Sequence, residues 1–358
     1  MEDKKHHGIE ATNREYARYD QVHKKQLYHL AEQGREEFDE EFRIRTCDIG
    51  AFLHGDAAAR RQFAAELGAA LAEIGFAILV GHGTDTALYD DMEALTEECF
   101  TRFALDEKMR FRARRHGSVN QGYFPIKETS DIHPDLVEGW VFCRRAFALP
   151  GRRSQETLES FWPDPAYEPL WRRLVLENEK LILPVMQSLL LWLGHDPHLY
   201  DERLTHPNIG LRLNYYPPLG TAEIQSGCGR LLGHEDVGMF TFLPAPRVEG
   251  LQVLDRRSMK WVRLHAPPGS LILNTGDYVQ RISNDLLPST THRVGRPRQP
   301  ELLSRPRVSF PMNVYVWEEE ILAVLPGLAE PHYAPISALE FHTRSTSKFY
   351  GDDYAVTE

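Results

Sequence analysis

The residues most able to do chemistry sit in Leu232-Gly233-His234-Glu235-Asp236-Val237-Gly238-Met239-Phe240. In an extended chain, side chains at i and i+2 share a face. His234 and Asp236 can therefore aim at one point while Glu235 looks away. One imidazole and one carboxylate at a point make two thirds of a metal site. A second histidine brought there by folding would complete a 2-His-1-carboxylate set, which leaves coordination positions open and suits non-haem Fe(II).

Two histidines of the second half are candidates. His265 precedes Ala266-Pro267-Pro268-Gly269, a turn, and turns lie at the surface. His292 lies in Ser289-Thr290-Thr291-His292-Arg293-Val294, a strand-like run that a closed sheet can carry to the His234–Asp236 pair. Farther on, Arg307 and Ser309 of Arg307-Val308-Ser309-Phe310 share one strand face, while Val308, Phe310 and Met312 share the other. A guanidinium offers a planar fork to a carboxylate, and a serine hydroxyl adds a donor. Aimed inward near a metal, such a pair is a seat for the distal end of a dicarboxylate.

These residues need elements to position them. Asp56 caps an expected helix over 57–74, with Phe63, Leu67, Leu71 and Ile74 on one face and Gly75 as its stop. Phe76–Val80 reads as a buried strand. A second helix carries Leu88, Met92, Leu95, Cys99 and Phe103 on one face. The polar stretch 106–135 reads as a long loop, Val137–Phe142 as a strand, and 163–195 as mostly one long helix bent at Pro184. From about 206 the period becomes 2: Arg212, Asn214 and Tyr216 share a face. Strand signals recur at 238–243, 250–254, 260–264, 270–275, 290–294 and 307–317, separated by Gly, Pro, Asn and Asp. Short strands at such spacing argue a sandwich or barrel. Before them, 1–42 is strongly charged, and Tyr16, Tyr19, Val22, Leu27 and Leu30 form a loose helical stripe.

Composition narrows the function classes. The chain has 358 residues, 42% hydrophobic and 26% charged, values of a globular protein. A net charge of -11 without a basic run argues against nucleic acid. No apolar run approaches the ~18 residues that a membrane span needs. The charged start, Met1-Glu2-Asp3-Lys4-Lys5, lacks the apolar core of a secretory signal. Cys47, Cys99, Cys143 and Cys228 are scattered without a C-x-x-C, so a disulfide framework is not expected and the cytoplasm is the default compartment.

Taken together, the motifs resemble the Fe(II)/2-oxoglutarate-dependent dioxygenases, in the branch that includes isopenicillin N synthase. Ile74-Gly75-Phe76-Ala77-Ile78-Leu79-Val80-Gly81-His82-Gly83 is similar to that family's GFF-x-x-x-NHG segment, with Gly81 where Asn is usual. Asn214-Tyr215-Tyr216-Pro217-Pro218, His234-Glu235-Asp236-Val237, Gly250-Leu251-Gln252-Val253, Asn274-Thr275-Gly276-Asp277, His292-Arg293-Val294 and Arg307-Val308-Ser309 follow in the family's order. The resemblance covers roughly residues 44–350. It implies an α+β fold with a double-stranded β-helix (jelly-roll) core flanked by helices, mostly from the N-terminal half. The expected organisation is an arm at 1–42, a helical region at 43–200, the catalytic core at 201–330, and a tail at 331–358 covering the active site.

It further implies Fe(II) on His234, Asp236 and His292. The C5 carboxylate of 2-oxoglutarate would lie on Arg307 and Ser309, with Tyr216 and Asn214 assisting, and O2 would take the last position. The implied reaction hydroxylates or desaturates a small molecule at an unactivated C–H bond and releases succinate and CO2. Tyr123, Arg144 and Phe240 are candidates for the substrate pocket, and Phe242, Leu251 and Leu273 for its apolar wall. Two other readings stay open. Isopenicillin N synthase turns its R-x-S to the substrate's own carboxylate and consumes no 2-oxoglutarate. A jelly roll can also serve as a binding protein without catalysis.

Overall fold

The computed structural model describes residues 34, 36–126, 135–150, 158–225 and 229–350. The expected helical stripe between Tyr16 and Leu30 lies outside them, as does the end of the tail from 351.

Helix α1, Ala57–Ile74, begins where the Asp56 carboxylate accepts from the backbone N–H groups of Ala58 and Ala59, each at 2.9 Å. This satisfies donors that the first turn leaves without partners. It ends at Gly75, whose φ of 73° lies in the left-handed region and whose N–H bonds Leu71 O at 2.7 Å. Phe63, Leu67, Leu71 and Ile74 are its buried face. Helix α2 spans Ala87–Arg102 and helix α3 spans Glu168–Trp192. Pro184 lies inside α3 without ending it, and Ser188 Oγ donates to the Pro184 carbonyl at 2.7 Å. Against Gly68 of α1 lies the Trp192 ring of α3, so close that a Cβ there would stand 2.1 Å from it. Helix α4, Ala338–Tyr350, closes the described chain.

Strands β1 (Thr46–Asp48), β2 (Phe76–Val80), β3 (Arg114–His116), β4 (Val119–Phe124), β5 (Glu138–Cys143) and β6 (Asn208–Tyr216) precede β7 (Leu231–His234) and β8 (Phe240–Pro244). Then come β9 (Leu251–Asp255), β10 (Lys260–Arg263), β11 (Leu271–Thr275), β12 (His292–Val294), β13 (Arg307–Ser309) and β14 (Met312–Tyr315). The major sheet runs β1-β2-β11-β8-β14-β6-β5-β4-β3, with β13 also paired to β6; the minor sheet runs β10-β9-β12-β7. The 106–135 stretch is thus not one long loop: its described part holds a short helix, Leu105–Met109, and the β3–β4 hairpin. The alternation there is masked because β4 is buried at all but one position, so neither face reads as polar. The expected 307–317 strand is two strands, and the 238–243 strand begins only at Phe240.

The sheets face each other as a jelly roll. At one end the space between them is filled by Phe76, Ile78 and Ile272 of the major sheet and Leu251, Val253 and Val262 of the minor. The outer face of the major sheet packs on the helices: Leu211, Leu213, Phe240, Phe242, Leu273 and Met312 share one core with Leu181, Val185 and Leu189 of α3. Residues 36–39 lie along the minor sheet's edge, where Trp261 N donates to Glu37 O and Asp39 N to Trp261 O, each at 2.9 Å. Glu36 pairs with buried Arg293 at 3.1 Å, and the Arg293 guanidinium lies 3.9 Å from the centre of the Trp261 ring. The start of the described chain therefore buttresses the strand that carries His292 and covers an edge otherwise open to pairing.

Gly75 gives a test of this architecture. A methyl there meets the Pro288 carbonyl at 2.5 Å in a backbone conformation that L-residues resist. Gly75→Ala is expected to lower stability by about 2 kcal/mol, read as a lower urea midpoint at unchanged slope.

Candidate active site

His234 ends β7 and His292 begins β12; the two are directly opposed in the antiparallel register of the minor sheet. Their ring centres are 4.4 Å apart. Asp236 lies two residues beyond His234, in the turn leading to β8. Its Oδ1 stands 3.7 Å from His234 Nε2 and 3.9 Å from His292 Nε2. The three ligand atoms all fall within 4.8 Å of one another. Bonds of roughly 2.1 Å at right angles place facial ligands about 3 Å apart, so a small contraction closes this triad on one ion.

The second ring nitrogens fix which nitrogen faces the centre. His234 Nδ1 lies 2.8 Å from Leu232 O, and His292 Nδ1 lies 3.0 Å from Thr290 O. A nitrogen facing a carbonyl carries the proton, so each Nε2 presents its lone pair inward. Burial, helped by the neighbouring His292, pushes the His234 imidazole down to about 4, so it is neutral and ready to ligate at neutral pH. For Asp236, burial pushes the carboxyl up, but His292, His234, Asn274 and Thr241 outweigh it and leave it below its ordinary value. Glu235 does look away, paired with Arg256 and accepting from Thr291 Oγ1 at 2.6 Å.

Across the cavity, β13 pairs with β6 so that Arg307 opposes Tyr216 and Ser309 opposes Asn214. Arg307 is 1% exposed. Its Nε donates to Val248 O at 3.1 Å, its Nη1 approaches Ser309 Oγ at 3.4 Å, and its guanidinium lies 4.9 Å from the centre of the Tyr216 ring. Burial pulls the guanidinium below its ordinary value, with Tyr216 opposing. No carboxylate among the described residues forms an ion pair with it. A cation buried this deeply costs several kcal/mol unless an anion joins it. Asn214 Nδ2 reaches Ser309 Oγ at 3.4 Å, and Asn214 Oδ1 accepts from Arg212 Nε at 2.7 Å.

His234, Asp236, His292, Arg307, Ser309, Asn214 and Tyr216 all line one cavity of about 210 Å³. The rest of its wall includes Val119, Phe124, Val141, Arg212, Asn313 and Tyr315, with His342 of α4 contributed from the tail. The three expected substrate-pocket residues lie elsewhere. Phe240 points to the helix layer with Phe242 and Leu273, while the adjacent Thr241 and Leu243 face the cavity. Tyr123 is one position out of phase with Phe124; its hydroxyl donates to Glu138 Oε2 at 2.7 Å and its ring packs on Trp140. Arg144 is buried against Glu179, donates to Pro150 O and does not line this cavity. For Tyr123 and Phe240 both strand faces are buried, so hydrophobicity could not tell inward from outward; Arg144 lies past the end of β5, in a 3-10 turn. Leu251 is the one expected wall residue that lines the cavity. His265 is 59% exposed, as its turn suggests. Thr241, Asn274 and Asn313 escaped sequence reasoning. Only Asn274 carried a signal, as part of a motif with no role attached.

Comparison with known proteins agrees with this geometry. Residues 44–165 match the family model of the non-haem dioxygenase in morphine synthesis N-terminal region, and 207–312 match that of the 2OG-Fe(II) oxygenase superfamily. The chain is 24% identical over 343 residues to the 2-oxoglutarate-Fe(II) type oxidoreductase ppzD of Metarhizium rileyi, covering 87% of this chain and 93% of that one. It is 28% identical over 270 residues to the 2-oxoglutarate-dependent dioxygenase citB of Monascus ruber, covering 71% and 80%. In fold it is similar to the full-length Neurospora crassa T7H solved with alpha-KG, at a TM-score of 0.72 and 21% identity, covering 87% of this chain and 99% of that one. With two matching family models in tandem and relatives named for 2-oxoglutarate, this chain belongs to the Fe(II)/2-oxoglutarate-dependent dioxygenase superfamily and is a 2-oxoglutarate-dependent oxidoreductase.

Proposed function

We propose that His234, Asp236 and His292 hold Fe(II) and that Arg307 and Ser309 hold the C5 carboxylate of 2-oxoglutarate, with Tyr216 and Asn214 beside it. The observation that carries this reading is the Arg307 guanidinium. It is buried, makes no ion pair within 4.0 Å among the described residues although Glu93 acts on it from farther off, and lines the same cavity as the triad. When bound, Fe(II) with 2-oxoglutarate and O2 supplies an oxidative decarboxylation to succinate and CO2 that drives hydroxylation or desaturation of an unactivated C–H bond.

The chain's own residues hold and orient. Leu232 O and Thr290 O set the two imidazoles so that both Nε2 atoms face one point. Val248 O and Ser309 Oγ fix the Arg307 fork. A bidentate grip sets the direction of a dicarboxylate as well as its place. The apolar side chains Val119, Phe124, Val141 and Val237 restrict water around the remaining space, which is where the substrate lies. The substrate is a small molecule: T7H is solved with thymine and JOX2 with JA, and the cavity here is bordered by β4, β5 and α4. The rival in which Arg307 grips the substrate's own carboxylate remains distinct, because it consumes no 2-oxoglutarate. The relatives named for that co-substrate favour the first reading. We also keep the cytoplasm as the compartment, in line with three free, buried cysteines and no described helix long and apolar enough to cross a membrane.

Under anaerobic conditions, Fe(II) and 2-oxoglutarate are expected to bind together to the wild-type chain in calorimetry, and His234→Ala to abolish the joint binding. Absence of co-substrate binding at millimolar 2-oxoglutarate would sink this function. Arg307→Gln should weaken 2-oxoglutarate by about 100-fold or more, the scale of about 3 kcal/mol for breaking a buried pair, while Fe(II) affinity stays within a few-fold. A screen of small acids, amino acids and peptides should find a compound that raises succinate release in step with its own consumption; consumption without succinate would favour the oxidase.

A further inference from the structure

The Asp236 carboxylate is held from two sides. Oδ1 is the oxygen that faces His234 and His292. Oδ2 accepts from Thr241 Oγ1 at 2.5 Å and from Asn274 Nδ2 at 2.8 Å. Both donors are 3% exposed. They come from different strands, Thr241 from β8 and Asn274 from β11, and stand opposite each other in the antiparallel register.

Hydrogen-bond accounting extends the chain. A carboxylate can only accept, so the single Thr241 proton is committed to Asp236 and the Thr241 oxygen must accept from elsewhere. It does so from Asn313 Nδ2 at 2.8 Å. Asn313 lies on β14, opposite Thr241 in register, and lines the cavity. The path Asn313–Thr241–Asp236 therefore runs from the substrate chamber to the carboxylate of the triad.

The physical consequence concerns how many oxygens Asp236 can offer. A carboxylate free to turn presents both, and a second bound oxygen would occupy one of the positions that co-substrate and O2 need. Two donors on Oδ2 prevent that turn. We propose that Thr241 and Asn274 are positioning residues that keep Asp236 a one-oxygen ligand, and that Asn313 holds the Thr241 proton in that role. The proposal rests on the Fe(II) reading above.

The test uses the full chain, titrated anaerobically with Fe(II), then with 2-oxoglutarate while the visible absorption of the complex is recorded. Thr241→Val keeps the shape and removes the hydroxyl. It is expected to weaken Fe(II) by about 10–100-fold and to shift the absorption, with melting behaviour close to wild type. Thr241→Ser should restore both, and Asn313→Leu should give a smaller loss, since the hydroxyl remains. Should Thr241→Val not fold, Asn274→Leu removes the other donor and carries the same expectation. Wild-type affinity and absorption in the variant lacking a donor would overturn the proposal alone, as would a Thr241→Ser protein no better than Thr241→Val. A wild-type chain that binds no Fe(II) would overturn the functional reading and this proposal together.

Discussion

The major sheet is buried on both faces, and its two faces ask for opposite residues. One face packs against the helices and takes Leu211, Leu213, Phe240, Phe242, Leu273 and Met312. The other encloses a cavity and takes Arg212, Asn214, Thr241, Asn274 and Asn313. Successive side chains of a strand point to opposite faces, so a slip of one residue would bury the polar set among the helices and empty the site. Everything the cavity does depends on this parity being held by long, register-fixed pairings such as β6 with β5, β13 and β14.

Charge is arranged on that inner face with little water to soften it. The neutral His234 imidazole, the His292 ring beside it and an ionised carboxylate belong to one sheet's end, and a buried guanidinium to the other sheet. The arrangement is incomplete as a set of ion pairs among the described residues, and that incompleteness is informative. A divalent cation at the triad and an anion at Arg307 would each lower the cost of burying the groups that face them. Binding and stability are thus linked: the groups that make the site costly are the ones that make it selective. The helices supply the rigidity this requires, since α3 presses the outer face and α1 is locked to it where Gly68 admits the Trp192 ring.

Local chemistry made much of this legible in the amino-acid order. Asp56 and Gly75 bound their helix because each satisfies backbone groups within a few residues. The alternation of β6 put Arg212, Asn214 and Tyr216 on one face, where they are found. His234 with Asp236, and Arg307 with Ser309, are pairs two residues apart whose shared aim follows from extended geometry or a tight turn. Where both faces of a strand are buried, this logic had nothing to grip. Tyr123 and Phe240 were placed in the substrate pocket, and the adjacent Phe124 and Thr241 are the ones that line it.

By itself, then, the sequence determined which residue types could make a metal triad and an anion seat, and the order of the elements that carry them. The motif order already pointed to His292 rather than His265, but only the tertiary structure set it directly opposite His234, because strand register across the minor sheet is a long-range pairing that no local pattern encodes. It alone placed Thr241, Asn274 and Asn313 around one carboxylate oxygen, since those residues lie on three strands and share nothing in sequence but the face they present. Hydrogen bonds between distant strands reward only the folded arrangement, and so they are invisible until the sheets have closed.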